Sequence, residues 1–110
     1  MNLNIAILEF VNKHRALTDE EWAAVDALLR DGLPEFHTFM AVCKTAIGLA
    51  GYRVCLLLRL SLRVKEVAMM LGTSSAYVSK VSTTVLRRLW DEEGSSMELG
   101  KKLRAVSLQS

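Results

Sequence analysis

The sequence is poor in the residues that interrupt or cross-link a small fold. It has one proline and two cysteines in 110 residues, and only 6% of its residues are aromatic. Hydrophobic residues nevertheless make up 51%, which is typical of a packed helical domain and excludes a disordered chain. The length is sufficient for one ordinary domain and too small for two.

Long apolar runs are also missing, which argues against a segment that spans a membrane. No uncharged run reaches the roughly 18 residues of a membrane helix, because Arg53, Arg59, Arg63 and Lys65 interrupt the most hydrophobic region. The first residues lack the basic leader and cleavage site of a secretory signal. We therefore expect a cytoplasmic protein whose segment makes no membrane contact, and a membrane anchor upstream of it stays open.

Motifs for metal binding and catalysis are absent as well. Cys43 and Cys55 lie in apolar helical patterns, far from His14 and His37, so the four close ligands of a zinc site are not present. Neither histidine has an obvious partner. There is no phosphate-binding loop and no nucleophile elbow, and the acidic run at 19–21 is typical of a helix N-terminus. We expect no enzyme, no cofactor, no metal and no small-molecule substrate.

The charges, by contrast, are unevenly distributed along the chain. Residues 1–48 carry four basic and seven acidic residues, a net charge of −3. Residues 49–90 carry seven basic residues and one acidic residue, Glu66, a net charge of +6. This asymmetry favours a polyanion as partner of the second half, although a solvated basic face has the same composition.

The hydrophobic periodicity predicts helices throughout and no strands. Capping boxes, in which a Ser or Thr and a Glu three residues later satisfy free backbone groups, are predicted at Thr18 and Ser95. Gly32 is predicted to end a helix in the left-handed conformation, and the apolar stripes are predicted to include Leu8 and Met97. The predicted helices cover 3–15, the segment from Thr18 to Gly32, the segment from Pro34 to Gly48, 50–60, 64–71, 74–90 and the segment after Ser95. The fold class is therefore all-α: an acidic helical segment at 1–48 packs on a helix-turn-helix unit with a C-terminal helix at 49–110.

Residues 64–81, VKEVAMMLGTSSAYVSKV, fit the packing pattern of a helix-turn-helix. Ala68 is small where the second helix crosses the first, and Gly72 supplies the positive φ that the turn requires. Ser74 is a good N-cap for the second helix. The positions predicted to face the core are Val67, Leu71, Val78 and Val81.

The second helix of this motif has an outer face of small, polar and basic residues. A recognition helix needs such a face to enter the major groove, and its N-terminal residues reach base edges. Lys80 suits a guanine or a phosphate, the hydroxyls suit bases, and the later arginines suit backbone phosphates. The candidate DNA-binding residues are Lys65, Ser75, Ala76, Tyr77, Ser79, Lys80, Thr83, Thr84, Arg87 and Arg88.

At these residues the chain resembles a known family. Residues 53–89, RVCLLLRLSLRVKEVAMMLGTSSAYVSKVSTTVLRRL, with TDEEWAAVDALLRDGLPEFHTFM at 18–40 and the tail EEGSSMELGKKLR, resemble the C-terminal helix-turn-helix domain of LuxR/GerE-type bacterial transcriptional regulators. That domain is related to sigma factor region 4, and the form resembled is found at the end of tetratricopeptide-repeat regulators.

The resemblance implies a sequence-specific DNA-binding domain of a transcription regulator, usually a homodimer. The helix at about 74–90 would lie in the major groove of double-stranded DNA, residues 75–83 would line the groove, and Lys65 would contact a phosphate. RNA polymerase is a further candidate partner.

Two segments depart from the pattern of that family. Ser82, Thr83 and Thr84 stand where a basic run is usual, and Ala50 and Gly51 stand where a polar cap is usual. Each phosphate contact adds affinity through counterion release, so the first departure leaves an alternative function. In that alternative, the helix-turn-helix fold serves protein interaction or dimerisation, with weak or lost DNA binding. The charge asymmetry also suggests that the acidic segment covers the basic face until a signal arrives.

Overall fold

The computed structural model describes residues 2–108 of the chain. These residues form six helices joined by short loops. There is no strand among these residues, so the all-α prediction is confirmed. The helices are α1 (Leu3–Val11), α2 (Asp19–Gly32), α3 (Pro34–Arg59), α4 (Val64–Leu71), α5 (Ser75–Trp90) and α6 (Ser96–Leu108).

Helix α3 is the centre of the bundle and packs against α2, α4, α5 and α6. Pro34 begins it, and Phe36, Met40 and Leu57 are fully buried. Gly48 breaks the helix into two halves with φ 75° and ψ 175°, as the sequence predicted. By length and composition α3 is the one helix of the described residues that could cross a membrane, but core helices pass the same test. Its central packing is that of a core helix.

The N-terminal segment packs on the helices that follow it. The Thr18 capping box is present, and α2 buries Trp22, Val25 and Leu29 against α3. The loop before α2 also joins α4, because the Leu17 backbone N–H donates to the Met70 carbonyl at 2.9 Å. The division into 1–48 and 49–110 stays a prediction, and its boundary coincides with the break at Gly48.

The prediction for Gly32 was wrong. This glycine stays helical, and Leu33 (φ −137°, ψ 65°) makes the junction directly before Pro34. A Cβ at Gly32 would lie 3.2 Å from Leu3 Cδ1. Gly32 therefore serves the close approach of α1 and not a left-handed turn.

The outer helices depart from prediction in their ends and faces. Helix α1 ends at Val11, four residues earlier than predicted, and buries Phe10 while Leu8 remains 46% exposed. The buried hydrophobic residues of α6 are Leu99 and Leu103, whereas Met97 is 66% exposed. Each terminal helix contacts the bundle on one side only, so part of each predicted stripe faces solvent.

The capping box makes the stability of the fold sensitive to acid. Glu21 accepts hydrogen bonds from Arg15 Nη1 at 2.7 Å and from the Thr18 backbone N–H at 2.9 Å, and Lys13 Nζ lies 3.3 Å away. The hydrogen bond from Arg15, then that from Thr18, holds the pKa of Glu21 far below its ordinary value.

A carboxyl whose pKa is lowered by folding stabilises the fold above its unfolded pKa, which is about 4.3 for Glu. We expect the melting temperature of the wild type to fall as the pH drops from about 5 to 2. Glu21→Gln, which retains a hydrogen-bonding cap, should show a smaller fall. Differential scanning calorimetry across this range measures it, with the exposed neighbour Glu20→Gln as control. Equal pH profiles for the wild type and Glu21→Gln would contradict the prediction.

Candidate nucleic-acid interface

The turn between α4 and α5 has the geometry that the sequence predicted. Gly72 adopts the left-handed conformation with φ 72°. The Thr73 N–H donates to the Ala68 carbonyl at 2.9 Å, and the Gly72 N–H donates to the Met69 carbonyl at 3.1 Å, which together form a Schellman motif. Ser74 Oγ then accepts the Tyr77 N–H at 3.1 Å and caps α5. These local bonds fix where the second helix begins.

The inner face of α5 differs from the prediction at one position that matters for function. Val78 and Val85 are buried as expected, but Ser82 is buried too, at 0% exposure. Its hydroxyl donates to the Val78 carbonyl at 2.9 Å and lies 2.7 Å from Ser96 Oγ of α6. Ser82 therefore holds α5 against α6, and only Thr83 and Thr84 of the predicted polar patch lie on the surface.

The outer face of α5 is open to solvent. All ten candidate DNA-binding residues, including Lys65 at the start of α4, are exposed. Some of their polar groups are engaged locally: the Thr83 hydroxyl donates to the Ser79 and Gly94 carbonyls at 3.1 and 3.2 Å. The acidic segment at 1–48 does not cover this face in the structure.

The two arginines at the end of α5 are exposed, but both contact other groups of the domain. Arg87 Nη2 lies 3.0 Å from Glu93 Oε1. Arg88 Nη1 donates to the Ala46 carbonyl at 3.0 Å, just before the break at Gly48. Arg88 therefore satisfies a carbonyl at the end of the first half of α3, and its engagement there competes with the phosphate role given by the sequence.

Pairing within the fold reduces the positive charge that the second half presents. Arg53 Nη2 lies 3.6 Å from Asp19 Oδ1, and its guanidinium packs over the Trp22 ring at 4.8 Å. Among the described residues, the side chains of Lys65 and Lys80 make no hydrogen bond or ion pair, and both residues are exposed. The interface therefore combines a long uncharged polar surface with a small number of free cations.

One polar cluster of the N-terminal layer was not found from the sequence. His37 Nε2 lies 3.1 Å from Asp26 Oδ2, so the expectation that His37 lacks a partner was wrong, and the Tyr52 hydroxyl donates to Asp26 Oδ1. Burial opposes ionisation of Asp26, but these two hydrogen bonds outweigh it and lower its pKa. The cluster fastens α2 to both halves of α3. No group of three ligands that could hold a metal occurs among residues 2–108.

Comparison of the chain with known proteins identified no relative. No protein-family model, no curated protein and no solved structure matches the chain. The likeness to LuxR/GerE-type domains therefore rests on the residues quoted above, and a functional assignment has to be argued from the geometry of α4 and α5.

Proposed function

We propose that this chain is a sequence-specific DNA-binding domain of a bacterial transcription regulator. The observation that carries the proposal is the exposed outer face of α5, which contains no acidic residue from Ser75 to Trp90. The Schellman turn at Gly72 and the cap at Ser74 fix the end of α4 and the start of α5, as a helix-turn-helix requires. A recognition helix in the major groove requires this combination of a fixed start and an open, non-acidic face.

In this proposal the N-terminal half of α5 reads the bases. Ala76 and Ser79 are small enough to admit the groove floor, and Lys80 projects a charged donor toward guanine acceptors or a phosphate. Tyr77 lies at the edge of the helix, where a phenol reaches the backbone. Lys65 lies in the first turn of α4, the helix that crosses the backbone in this motif.

The small number of free cations predicts a moderate dependence on salt. Each neutralised phosphate contributes about −0.9 to the slope of log K against log salt, so two to four contacts give a slope of about −2 to −4. Fluorescence anisotropy of a labelled random duplex measures it at about 50 and 200 mM salt. We expect affinity to fall by roughly tenfold to a hundredfold between these conditions.

Lys80→Gln is the variant that assigns this binding to α5. It should make the slope shallower by about 1 and raise the Kd roughly fivefold to tenfold at 100 mM salt. Lys101→Gln removes the same charge from an exposed position on α6 and serves as the control. Equal effects of both substitutions would exclude a specific role for α5.

A second function is favoured by the apolar side chains that remain on the surface. Ile5 of α1 is 67% exposed and Val42 of α3 is 78% exposed. With Arg87 and Arg88 engaged inside the domain, these residues favour a protein-interaction or dimerisation module. Sedimentation equilibrium together with the DNA titration separates the two functions, because a stable dimer with no DNA binding at either salt would support the module.

A further inference from the structure

A groove of about 400 Å³ lies between α6 and the turn that joins α3 to α4. Its polar side chains are those of Ser61, Ser96, Arg63 and Arg104, and the exposed Met97 also lines it. No acidic residue lines it among the described residues. The apolar part of its lining consists of Leu58, Leu62 and Val64.

Two unfavourable local features direct the guanidinium of Arg104 toward this groove. Gly100 lies inside α6, where glycine is less stable than alanine, and a Cβ there would lie 3.1 Å from Arg104 Nη1. Ser61 adopts a left-handed φ of 64°, which is rare for a residue other than glycine. Arg104 Nη1 reaches Ser61 Oγ at 3.5 Å. The absence of a side chain at Gly100 and the left-handed turn at Ser61 therefore allow the Arg104 guanidinium to lie beside the Ser61 hydroxyl.

The surrounding charge favours an anion in the groove. Burial, and then the positive charge of Arg104, lower the pKa of Arg59 at the end of α3. Arg63 Nε lies 3.6 Å from Glu66 Oε1, and its side chain is largely exposed. Guanidinium groups gathered in this way form their strongest hydrogen bonds with carboxylate or phosphate oxygens.

Residues that line the groove belong to or contact both helices that flank the Gly72 turn. On one side Arg63 immediately precedes α4, two residues before the exposed Lys65. On the other side Ser96 of α6 contacts Ser82 of α5, and the loop before α6 accepts a hydrogen bond from Thr83 at the Gly94 carbonyl. Because the first helix of a helix-turn-helix crosses the DNA backbone, a duplex on α5 would bring a backbone strand to the start of α4, where Arg63 lines the groove.

We propose that the groove binds a phosphate of the DNA backbone that flanks the bases read by α5. Arg104 and Arg63 supply the charged contacts and Ser61 supplies a hydroxyl donor. This inference rests on the proposed function. Backbone contacts of this kind carry no base specificity but fix the register of the recognition helix.

The test compares Arg104→Gln, Arg63→Gln and Gly100→Ala with the control Arg30→Gln, which removes the same charge from an exposed position on α2. In the anisotropy assay each arginine variant of the groove should make the salt slope shallower by about 1 and raise the Kd roughly fivefold to tenfold at 100 mM salt. Gly100→Ala keeps every charge but displaces the guanidinium. It should raise the Kd while the melting temperature stays equal or increases.

Three results would overturn the proposal, and they differ in whether the proposed DNA-binding function is also wrong. If the groove variants bind with the slope of Arg30→Gln, the groove is wrong and the proposed function stands. If the wild type binds no duplex at 50 mM salt, both are wrong. If inorganic phosphate raises the melting temperature of the wild type and not of Arg104→Gln, while the slopes stay equal, the groove holds free phosphate and not the DNA backbone.

Discussion

Ser82→Lys is expected to destabilise the domain by about 3–5 kcal/mol, the cost of an uncompensated buried charge. Judged by sequence alone, this substitution would restore part of a basic run on the recognition helix. The structure leaves no room for that role, because Ser82 is fully buried between α5 and α6. A lysine there also removes the hydrogen bond to Ser96, whose side chain is itself buried. Urea denaturation followed by circular dichroism measures the loss.

Thr84→Lys provides the matched comparison two positions later. Thr84 is exposed, and its hydroxyl donates only to the Lys80 carbonyl of its own helix at 3.1 Å. Most surface substitutions change stability by less than about 0.5 kcal/mol, so we expect this variant to fold normally. If α5 lies on DNA, the added charge should tighten binding roughly fivefold to tenfold at 100 mM salt and steepen the slope by about 1.

The pair of variants separates the fold from the function. A stable Ser82→Lys protein would contradict the burial of this position against α6. A well-folded Thr84→Lys protein with unchanged duplex affinity would count against the placement of α5 in the groove. The same substitution to lysine is expected to have opposite outcomes at Ser82 and at Thr84. This difference comes entirely from the orientation of α5, which buries the first residue and exposes the second.

The turn between α4 and α5 could be predicted because its determinants are local. Gly72 and Ser74 act on backbone groups within a few residues, and the capping box of Thr18 and Glu21 does the same. Such features depend on residue type and spacing, which a sequence displays directly. The break of α3 at Gly48 was predictable for the same reason.

Contacts between distant residues were not predictable, and they changed the interpretation of the interface. Arg88 donates to a carbonyl 42 residues earlier. Asp26 of α2 likewise contacts His37 and Tyr52, which lie on the two halves of α3. Ser82 is an intermediate case. It follows Val78 by four residues and precedes Val85 by three, so periodicity places it on the buried stripe. Its polar side chain concealed this, because the partner that satisfies it lies on α6.

Gly72→Ala is expected to destabilise the domain by about 2–3 kcal/mol, through two separable effects. A left-handed conformation costs a residue with a Cβ about 1–2 kcal/mol. The new Cβ would also lie 3.0 Å from Ala16 Cβ in the loop between α1 and α2, and relief of that overlap requires a shift that costs on the order of 1 kcal/mol. The same substitution at Gly100, a helical position, should be neutral or stabilising and serves as the control.

A double-mutant cycle with Ala16→Gly isolates the second effect. Removing the Ala16 methyl group should recover about 1 kcal/mol in the Gly72→Ala background and not in the wild type, with chemical denaturation as the readout. That coupling would place the loop before α2 directly on the turn between α4 and α5, consistent with the bond from Leu17 to the Met70 carbonyl. Additive effects would mean that the loop and the turn are independent. The N-terminal segment could then influence α5 only through its packing on α3.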